Sequence, residues 1–283
     1  MQTFEHDGIT LAYDVAGADG DEPVLFLHGI TGARSTWHDT AAALAAEHRV
    51  FTLDHRGHGD SSRAPGTYDV EHWAGDAIAL LDEVVGRPAF LVGHSLGGVV
   101  AAEVIGRRPD LVRAALLEDP PLFLADQAEF DASPFAFVFE MMLTQFREMQ
   151  DRDAPLDDYV GMATAMPALN GAGSMGDVLG PDGARRSGQA TKDFDPDALA
   201  DAISGRGLGR FDAARPLTVP VHVLRADPAI FAAFRAEDEA PFLATNPHAT
   251  VEVVPGASHL IHDEQPALVL ARIRSLIDGT RAG

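Results

Sequence analysis

The chain has 283 residues, of which 46% are hydrophobic, and it contains no cysteine. This composition predicts a globular protein with a sizeable core, and it excludes a disordered chain, disulfides and thiolate chemistry. The formal net charge of −22 repels phosphate backbones and anionic lipids, so neither nucleic acid nor a membrane surface is expected as a partner. The sequence has no signal-peptide pattern at its start and no run of about 18 apolar residues, which makes the cytoplasm the expected location.

Short apolar runs alternate with amphipathic patterns along most of the chain. The predicted strands are residues 9–15, 23–27, 49–53, 89–92, 112–117, 221–224 and 250–254. Apolar residues recur at helical spacing in segment 71–85 and again in segment 269–277. Nearly continuous apolar strands with helices between them predict an α/β fold with a doubly wound, mostly parallel sheet. The active site of such a sheet forms beyond the carboxyl ends of its strands.

The region 121–215 interrupts this alternation. Ser133 is placed to cap a helix whose first turn contains Pro134, and apolar residues then repeat at helical spacing as far as Met149. The Gly-rich stretch 171–188 that follows is predicted to be a mobile loop.

We interpret residues 121–215 as a helical lid inserted into a core domain made of residues 1–120 and 216–283. A lid helix buries one face, and its apolar stripe either lines a substrate pocket or packs in an ordinary core. The candidate substrate-binding residues on that stripe are Phe139, Met142 and Phe146.

The segment Gly93-His94-Ser95-Leu96-Gly97 follows an apolar strand and precedes a helical run. It has the G-x-S-x-G pattern of a nucleophile elbow in the context that this motif requires. Side chains two positions before and after the serine would collide in so tight a turn, so glycine is needed at both places. The turn lifts the hydroxyl of Ser95 above the sheet edge, where the start of a helix favours developing negative charge. Ser95 is therefore the candidate nucleophile.

Three further motifs accompany the elbow, and together they resemble the α/β-hydrolase superfamily. They are Leu27-His28-Gly29-Ile30, Asp54-His55-Arg56-Gly57-His58-Gly59-Asp60-Ser61 and Gly256-Ala257-Ser258-His259. The likeness covers nearly the whole chain and is weakest in the lid. Within the superfamily the chain is similar to small bacterial esterases, lactonases and cofactor-free haloperoxidases. No cofactor is expected, and no compact zinc pattern such as H-E-x-x-H is present, so a catalytic metal is not expected either.

The resemblance implies a base and an acid that follow Ser95 in the order serine, acid, histidine. His259, in a loop of small residues after the last predicted strand, is the candidate base, and His262 is its competitor. Asp227, just after the predicted strand 221–224, occupies the usual place of the acid. Asp119 is the alternative acid, because it ends the strand that follows the elbow helix and some relatives carry their acid there.

The resemblance also implies an oxyanion hole made of two backbone N–H groups, those of Leu96 and Ile30. Asp54 and Arg56 are interpreted as a structural turn network rather than as catalytic groups.

These assignments predict a serine hydrolase that cleaves a carboxylic ester or a lactone by acyl transfer to water. The expected partner is a small-molecule substrate with an apolar acyl part, and both a monomer and a homo-oligomer remain open. Two alternatives also remain: a C–C bond hydrolase or lyase on the same triad, and a ligand-binding receptor with slow turnover. Dehalogenases and epoxide hydrolases are disfavoured, because they carry aspartate at the elbow where this chain has Ser95.

Overall fold

The computed structural model describes residues 1–209 and 211–282. The strands are β1 Gln2–His6, β2 Ile9–Ala16, β3 Pro23–Leu27, β4 Arg49–Leu53, β5 Ala89–His94, β6 Val112–Glu118, β7 Val221–Arg225 and β8 Ala249–Val253. The helices are α1 His38–Leu44, α2 Val70–Ala79, α3 Leu96–Arg107, α4 Gln127–Ala132, α5 Pro134–Asp151, α6 Leu156–Ala165, α7 Met175–Asp193, α8 Asp197–Ile203, α9 Ala236–Thr245, α10 Ile261–Glu264 and α11 Pro266–Ala282. A π-helical turn, Leu80–Val85, continues α2, and 3-10 turns span Arg34–Trp37 and Pro109–Leu111.

Within the described residues the strands form one eight-stranded sheet in the order β1-β2-β4-β3-β5-β6-β7-β8. The β1–β2 and β2–β4 pairs are antiparallel, and all pairs from β4 to β8 are parallel. The predicted α/β fold with a mostly parallel sheet is confirmed.

The sheet is buried on both faces, as its apolar strands require. Along β3, Leu25 and Leu27 belong to one hydrophobic core, whereas Val24 and Phe26 belong to a second core on the opposite face. Helix α3 contributes to the first core and α11 to the second. The helices therefore cover both sides of the sheet, and the carboxyl ends of β3, β5 and β6 meet at one edge.

Helices α4 to α8 lie between β6 and β7. Pro134 opens α5 as predicted, but the hydroxyl of Ser133 donates to the carbonyl of Phe130 (2.7 Å) and does not cap α5.

No helix in the described part of the chain is long and apolar enough to cross a membrane.

The prediction of a mobile loop at 171–188 is wrong for most of that stretch, because α7 begins at Met175 and its helical backbone is broken only by a kink at Gly180 (φ 65°), just before Pro181. Ser174 caps α7 by accepting from the N–H of Asp177 (3.2 Å), while the Asp177 carboxylate accepts from the N–H of Ser174 (2.8 Å). A Cβ on Gly188 would lie 2.7 Å from the backbone nitrogen of Val160 on α6. Glycine thus lets α6 and α7 approach closely, and this packing outweighs the low helix propensity of the residue.

Candidate active site

The turn between β5 and α3 is the strained elbow that the sequence predicts. Ser95 has φ 51° and ψ −117°, a backbone conformation that residues with a side chain rarely adopt. A Cβ on Gly93 would overlap the carbonyl oxygen of Gly97, and a Cβ on Gly97 would overlap that of Leu27. Ser95 is buried, and its backbone N–H donates to the carbonyl of Glu118 at the end of β6 (2.9 Å). The neighbouring strands therefore hold the turn in place.

A buried carboxylate partners His259. The Nδ1 atom of His259 donates to Oδ2 of Asp119 (2.6 Å), and Asp119 is fully buried with φ 43°. The backbone N–H groups of Ala226 (3.2 Å), Ala233 (2.7 Å) and Phe234 (3.2 Å) donate to the same carboxylate. An ionised carboxylate only accepts hydrogen bonds, so four donors suit its charged form and fix its orientation.

Asp227, the first choice for the acid, is not the partner of His259. Its carboxylate accepts from the backbone N–H groups of Ala229 (2.9 Å) and Gly256 (2.9 Å), and these hydrogen bonds hold the pKa of Asp227 below its usual value. Asp119 directly follows β6, which pairs with the elbow strand β5, whereas Asp227 lies beyond the next strand. The structure therefore contradicts the expected pairing of Asp227 with His259, and the alternative residue, Asp119, is the partner of this histidine.

His262, the competing base, has a carboxylate partner of its own. Its Nδ1 atom donates to Oε1 of Glu118 (2.7 Å). Burial alone would lower the pKa of His262, but the negative charges of Glu118 and Asp263 outweigh burial and raise the pKa to about 9. This imidazole is thus held as a cation in a buried pair, which does not suit a general base at neutral pH.

The loop that contains Ile30 lies against the elbow. A Cβ on Gly29 would be 3.4 Å from the Cβ of Ser95, and Ile30 and Leu96 line the same cavity as Ser95. The carbonyl of Ile30 accepts from Nε2 of His58 (2.5 Å), which anchors this loop to the turn after β4. The two residues expected to form the oxyanion hole therefore flank the serine.

The cavity above Ser95 encloses about 570 Å³, including the part that is open to solvent. Its walls are mainly apolar and aromatic, and they include Trp73, Leu124, Phe130, Phe135, Phe139 and Leu208. Among the described residues that form the wall, none carries a charge. The ring of Phe135 also meets the ring of His259 edge-on, with 5.5 Å between centroids, so the histidine adjoins the same cavity.

The three candidate pocket residues of α5 separate into two groups. Phe139 lines the cavity, but Phe146 is buried in the core and packs against Phe194 (6.1 Å between centroids). Met142 is partly buried against that same core and is not part of the cavity wall. The assignments of Met142 and Phe146 to the pocket are therefore wrong. An 18-residue helix is about 27 Å long, so its far end lies beyond the site.

Phe135 also lines the cavity and lies on the same apolar stripe, but it was not among the predicted pocket residues. It stands one helical turn before Phe139, and the two rings are 5.7 Å apart. The sequence contained the stripe but no indication of which half of the helix reaches the strand ends.

Ligand atoms of metal-binding type come together in His94, Glu118 and His262, within 4.8 Å of one another. Nε2 of His94 donates to the carbonyl of His259 (2.9 Å), and Nδ1 of His262 donates to Glu118. Burial holds the pKa of His94 well below its usual value, so its imidazole is neutral. Hydrogen bonds thus account for this arrangement, and we describe it as a hydrogen-bonded cluster.

Asp54 and Arg56 form ion pairs away from Ser95, in agreement with a structural turn network. The guanidinium of Arg56 makes a bidentate pair with Asp76 (2.7 and 2.8 Å), and Asp54 pairs with Arg34. All these groups except Arg34 are almost completely buried.

Comparison with known proteins agrees with this geometry. The model of the alpha/beta hydrolase family matches residues 24–272. The chain belongs to the alpha/beta hydrolase family. The 2-(acetamidomethylene)succinate hydrolase of Mesorhizobium japonicum is 26% identical over 261 residues, which are 90% of this chain and 87% of that protein.

Two further comparisons extend the likeness to enzymes that act on esters. The sn-1-specific diacylglycerol lipase ABHD11 of Danio rerio is 36% identical over 115 residues, 39% of this chain and 36% of the lipase. The chain therefore spans about a third of the length of this curated relative. A thermophilic esterase structure from Thermogutta terrifontis has a TM-score of 0.70 and 25% identity, and the match covers 98% of this chain and 97% of the esterase. All three of these similar proteins are hydrolases.

Proposed function

We propose that this alpha/beta hydrolase is a serine hydrolase that cleaves an uncharged carboxylic ester or lactone with an apolar acyl part. The observation that carries the proposal is the placement of Ser95 in a strained elbow beside an apolar cavity, with His259, whose Nδ1 binds the buried Asp119, against Phe135 of the same cavity wall. A serine hydroxyl is a weak nucleophile, and such an imidazole–carboxylate pair is what activates it.

His259 would act as the general base and then as the general acid. Because its Nδ1–H is donated to Asp119, its Nε2 is free to accept the proton of the Ser95 hydroxyl. Ser95 Oγ then attacks the carbonyl carbon, and His259 returns the proton to the leaving oxygen. Water, deprotonated by the same histidine, releases the acyl group from the serine. Asp119 stabilises the transient imidazolium without taking its proton.

The oxyanion of the tetrahedral intermediate would be held by the N–H groups of Leu96 and Ile30. Leu96 is the first residue of α3, so the N-terminal end of the helix dipole also favours negative charge at this point. His58 anchors the loop of Ile30 by donating to the carbonyl of Ile30, which belongs to the following peptide group.

The cavity favours an apolar acyl group. Its described walls offer no lysine or arginine to a carboxylate, and a buried carboxylate without a partner is costly. Helices α4, α5 and α8 supply or border much of the wall, and we infer that the inserted helices act as a lid.

The proposal is tested with p-nitrophenyl esters and acyl homoserine lactones of varied acyl length, beside a diketone that reports C–C cleavage. Ser95→Ala should lower ester turnover by on the order of 10⁶-fold and retain the fold. Ser275→Ala, at an exposed position of α11, is the matched control and should leave turnover unchanged. A fluorophosphonate probe should label Ser95. Labelling of a different serine, or cleavage of the diketone alone, would contradict the proposal.

A further inference from the structure

A second buried carboxylate–imidazole pair lies directly beside the first. Glu118 precedes Asp119 in the chain, and His262 stands three residues after His259. Oε1 of Glu118 accepts from both the backbone N–H (2.9 Å) and the Nδ1 (2.7 Å) of His262. Glu118 is fully buried and His262 is 5% exposed. Neither side chain of this pair lines the cavity, so the mechanism described above gives the pair no role.

The pair is connected through His94 to the loop from Gly256 to His259, which is called the histidine loop below. The ring of His94 lies 4.7 Å from that of His259 and 4.7 Å from that of His262, and its Nε2 donates to the His259 carbonyl. Trp37 packs on the ring of His262, with 4.6 Å between centroids. The ring of His262 is therefore confined by its neighbours, and His94 lies between this ring and the backbone carbonyl of His259.

The charges around His262 indicate an ion pair. Oε2 of Glu118 has no hydrogen-bond partner among the described residues, so the buried carboxylate depends on a nearby positive charge. The titratable and charged groups that face this site are His94 at the end of β5, Glu118 at the end of β6, Asp263 and Glu264 on α10, and Arg186 on α7 opposite Asp263. With burial holding His94 neutral, His262 supplies the positive charge next to Glu118.

We propose that Glu118 and His262 form a buried positioning pair that fixes the loop of His259 against the nucleophile elbow. The loop from Gly256 to His259 consists of small residues before the histidine; Ala257 packs in the second core, and hydrogen bonds restrain Gly256 and Ser258. Asp227 tethers its beginning through the N–H of Gly256, Glu264 accepts from the N–H (2.6 Å) and the hydroxyl (2.7 Å) of Ser258, and the Glu118–His262 pair tethers its end. Because a displacement of about 1 Å can cost about 10²-fold in rate, the tether at His262 bears on catalysis. The inference rests on the proposed function.

The test compares three variants in active-site-titrated enzyme. His262→Asn keeps a donor where Nδ1 was but removes the positive charge, and kcat should fall by on the order of 10²-fold with KM changed by less than about twofold. Glu118→Gln keeps the acceptor and removes the negative charge, and it should cost less than about tenfold. The double variant pairs two neutral amides, and it should recover most of the activity that His262→Asn loses.

The pH profile supplies a readout that simple packing would not change. His262 keeps its proton up to a pKa of about 9, so the ion pair is complete at neutral pH and is lost as the pH rises through that value. In the unmodified enzyme kcat should therefore decline above about pH 9 at constant KM. In Glu118→Gln only Asp263 and Glu264 oppose the effect of burial, so the pKa of His262 falls and this alkaline decline should move to lower pH.

The low-field proton resonance of the Asp119–His259 hydrogen bond tests the positioning without any substrate. It should shift or broaden in His262→Asn and return in the double variant. The matched control is His222→Asn, since Nε2 of His222 pairs with Glu252 (3.2 Å) on strand residues remote from Ser95. An unchanged resonance and an unchanged kcat in His262→Asn would overturn the inference, as would a double variant no better than His262→Asn. Failure of the proposed function differs, because it shows as an absence of ester turnover and of Ser95 labelling in the unmodified enzyme.

Discussion

At the scale of single residues, the surroundings of a carboxylate decide what it can do. Asp119 is fully buried, receives three backbone N–H donors and binds His259, so its charge is aimed at the imidazole. Asp227 receives two backbone donors and holds a turn and the start of the histidine loop. The two side chains are chemically identical, and their different partners give one of them an electrostatic task and the other a structural task.

Exchange of each aspartate for asparagine separates these tasks. Asp119→Asn should lower kcat by on the order of 10⁴-fold, because the amide favours the wrong imidazole tautomer and removes the negative charge. Asp227→Asn should cost less than about tenfold, since its Oδ1 can still accept a backbone hydrogen bond. Steady-state kinetics on a p-nitrophenyl ester measure both effects. If the larger loss belonged to Asp227→Asn, the assignment of Asp119 as the triad acid would be wrong.

At the scale of elements, α5 has two different environments along its length. Its first two turns carry Phe135 and Phe139 into the cavity wall, and its later turns bury Phe146 and Met149 in cores. One apolar stripe therefore serves a site at one end and packing at the other. The stripe itself is continuous, because both environments demand apolar side chains.

Truncation of two phenylalanines on this helix distinguishes the two environments. Phe139→Ala should enlarge the cavity and shift preference toward bulkier acyl groups by tens-fold, since pocket contacts are worth about 1–3 kcal/mol. Phe146→Ala is the matched substitution in the core: it should lower the free energy of unfolding by about 3–5 kcal/mol and leave the acyl profile unchanged. Thermal melts and an acyl-length series on both variants provide the measurement. An unaltered profile in Phe139→Ala would show that the cavity does not bind the acyl group.

At the scale of the whole molecule, buried histidines couple stability to pH. Burial is the largest cause that lowers the pKa of His28, His55, His58 and His94, and that of His55 falls to about 3. These groups stay neutral in the folded chain but bind protons in the unfolded chain below about pH 6.5. The stability they contribute is complete above that value and is lost progressively as the pH falls toward their folded pKa values.

His55 offers a direct test of this coupling, because neither of its ring nitrogens has a hydrogen-bond partner among the described residues. Between pH 7 and pH 5 its protonation in the unfolded chain should lower the free energy of unfolding by about 2 kcal/mol. His55→Phe should remove that contribution and flatten the dependence on pH, while His38→Gln at the exposed start of α1 should not. Urea unfolding at both pH values measures the difference. Equal slopes in His55→Phe and the unmodified chain would contradict the prediction.

The sequence by itself determined the features that depend on neighbours in the chain. The elbow could be identified because the tight turn at Ser95 leaves no room for a Cβ two positions before and two positions after it, so glycine is required at both places. The mostly parallel sheet could be predicted because strands buried on both faces must be apolar throughout, as residues 23–27 are. The candidate base followed from a loop of small residues before His259.

Only the tertiary structure decided the features that depend on distant parts of the chain. Asp119 rather than Asp227 is the partner of His259 because β6 pairs with β5, which brings Asp119 to His259 across 140 positions of sequence. Helix α7 forms in a Gly-rich stretch because packing against α6 compensates for poor propensity. Phe139 and Phe146 lie on the same apolar stripe of α5. Only the position of α5 over the sheet edge places Phe139 in the pocket wall and Phe146 in the core. Local strain and burial leave a pattern in the sequence, whereas the choice among equivalent partners is made by the contacts that folding brings together.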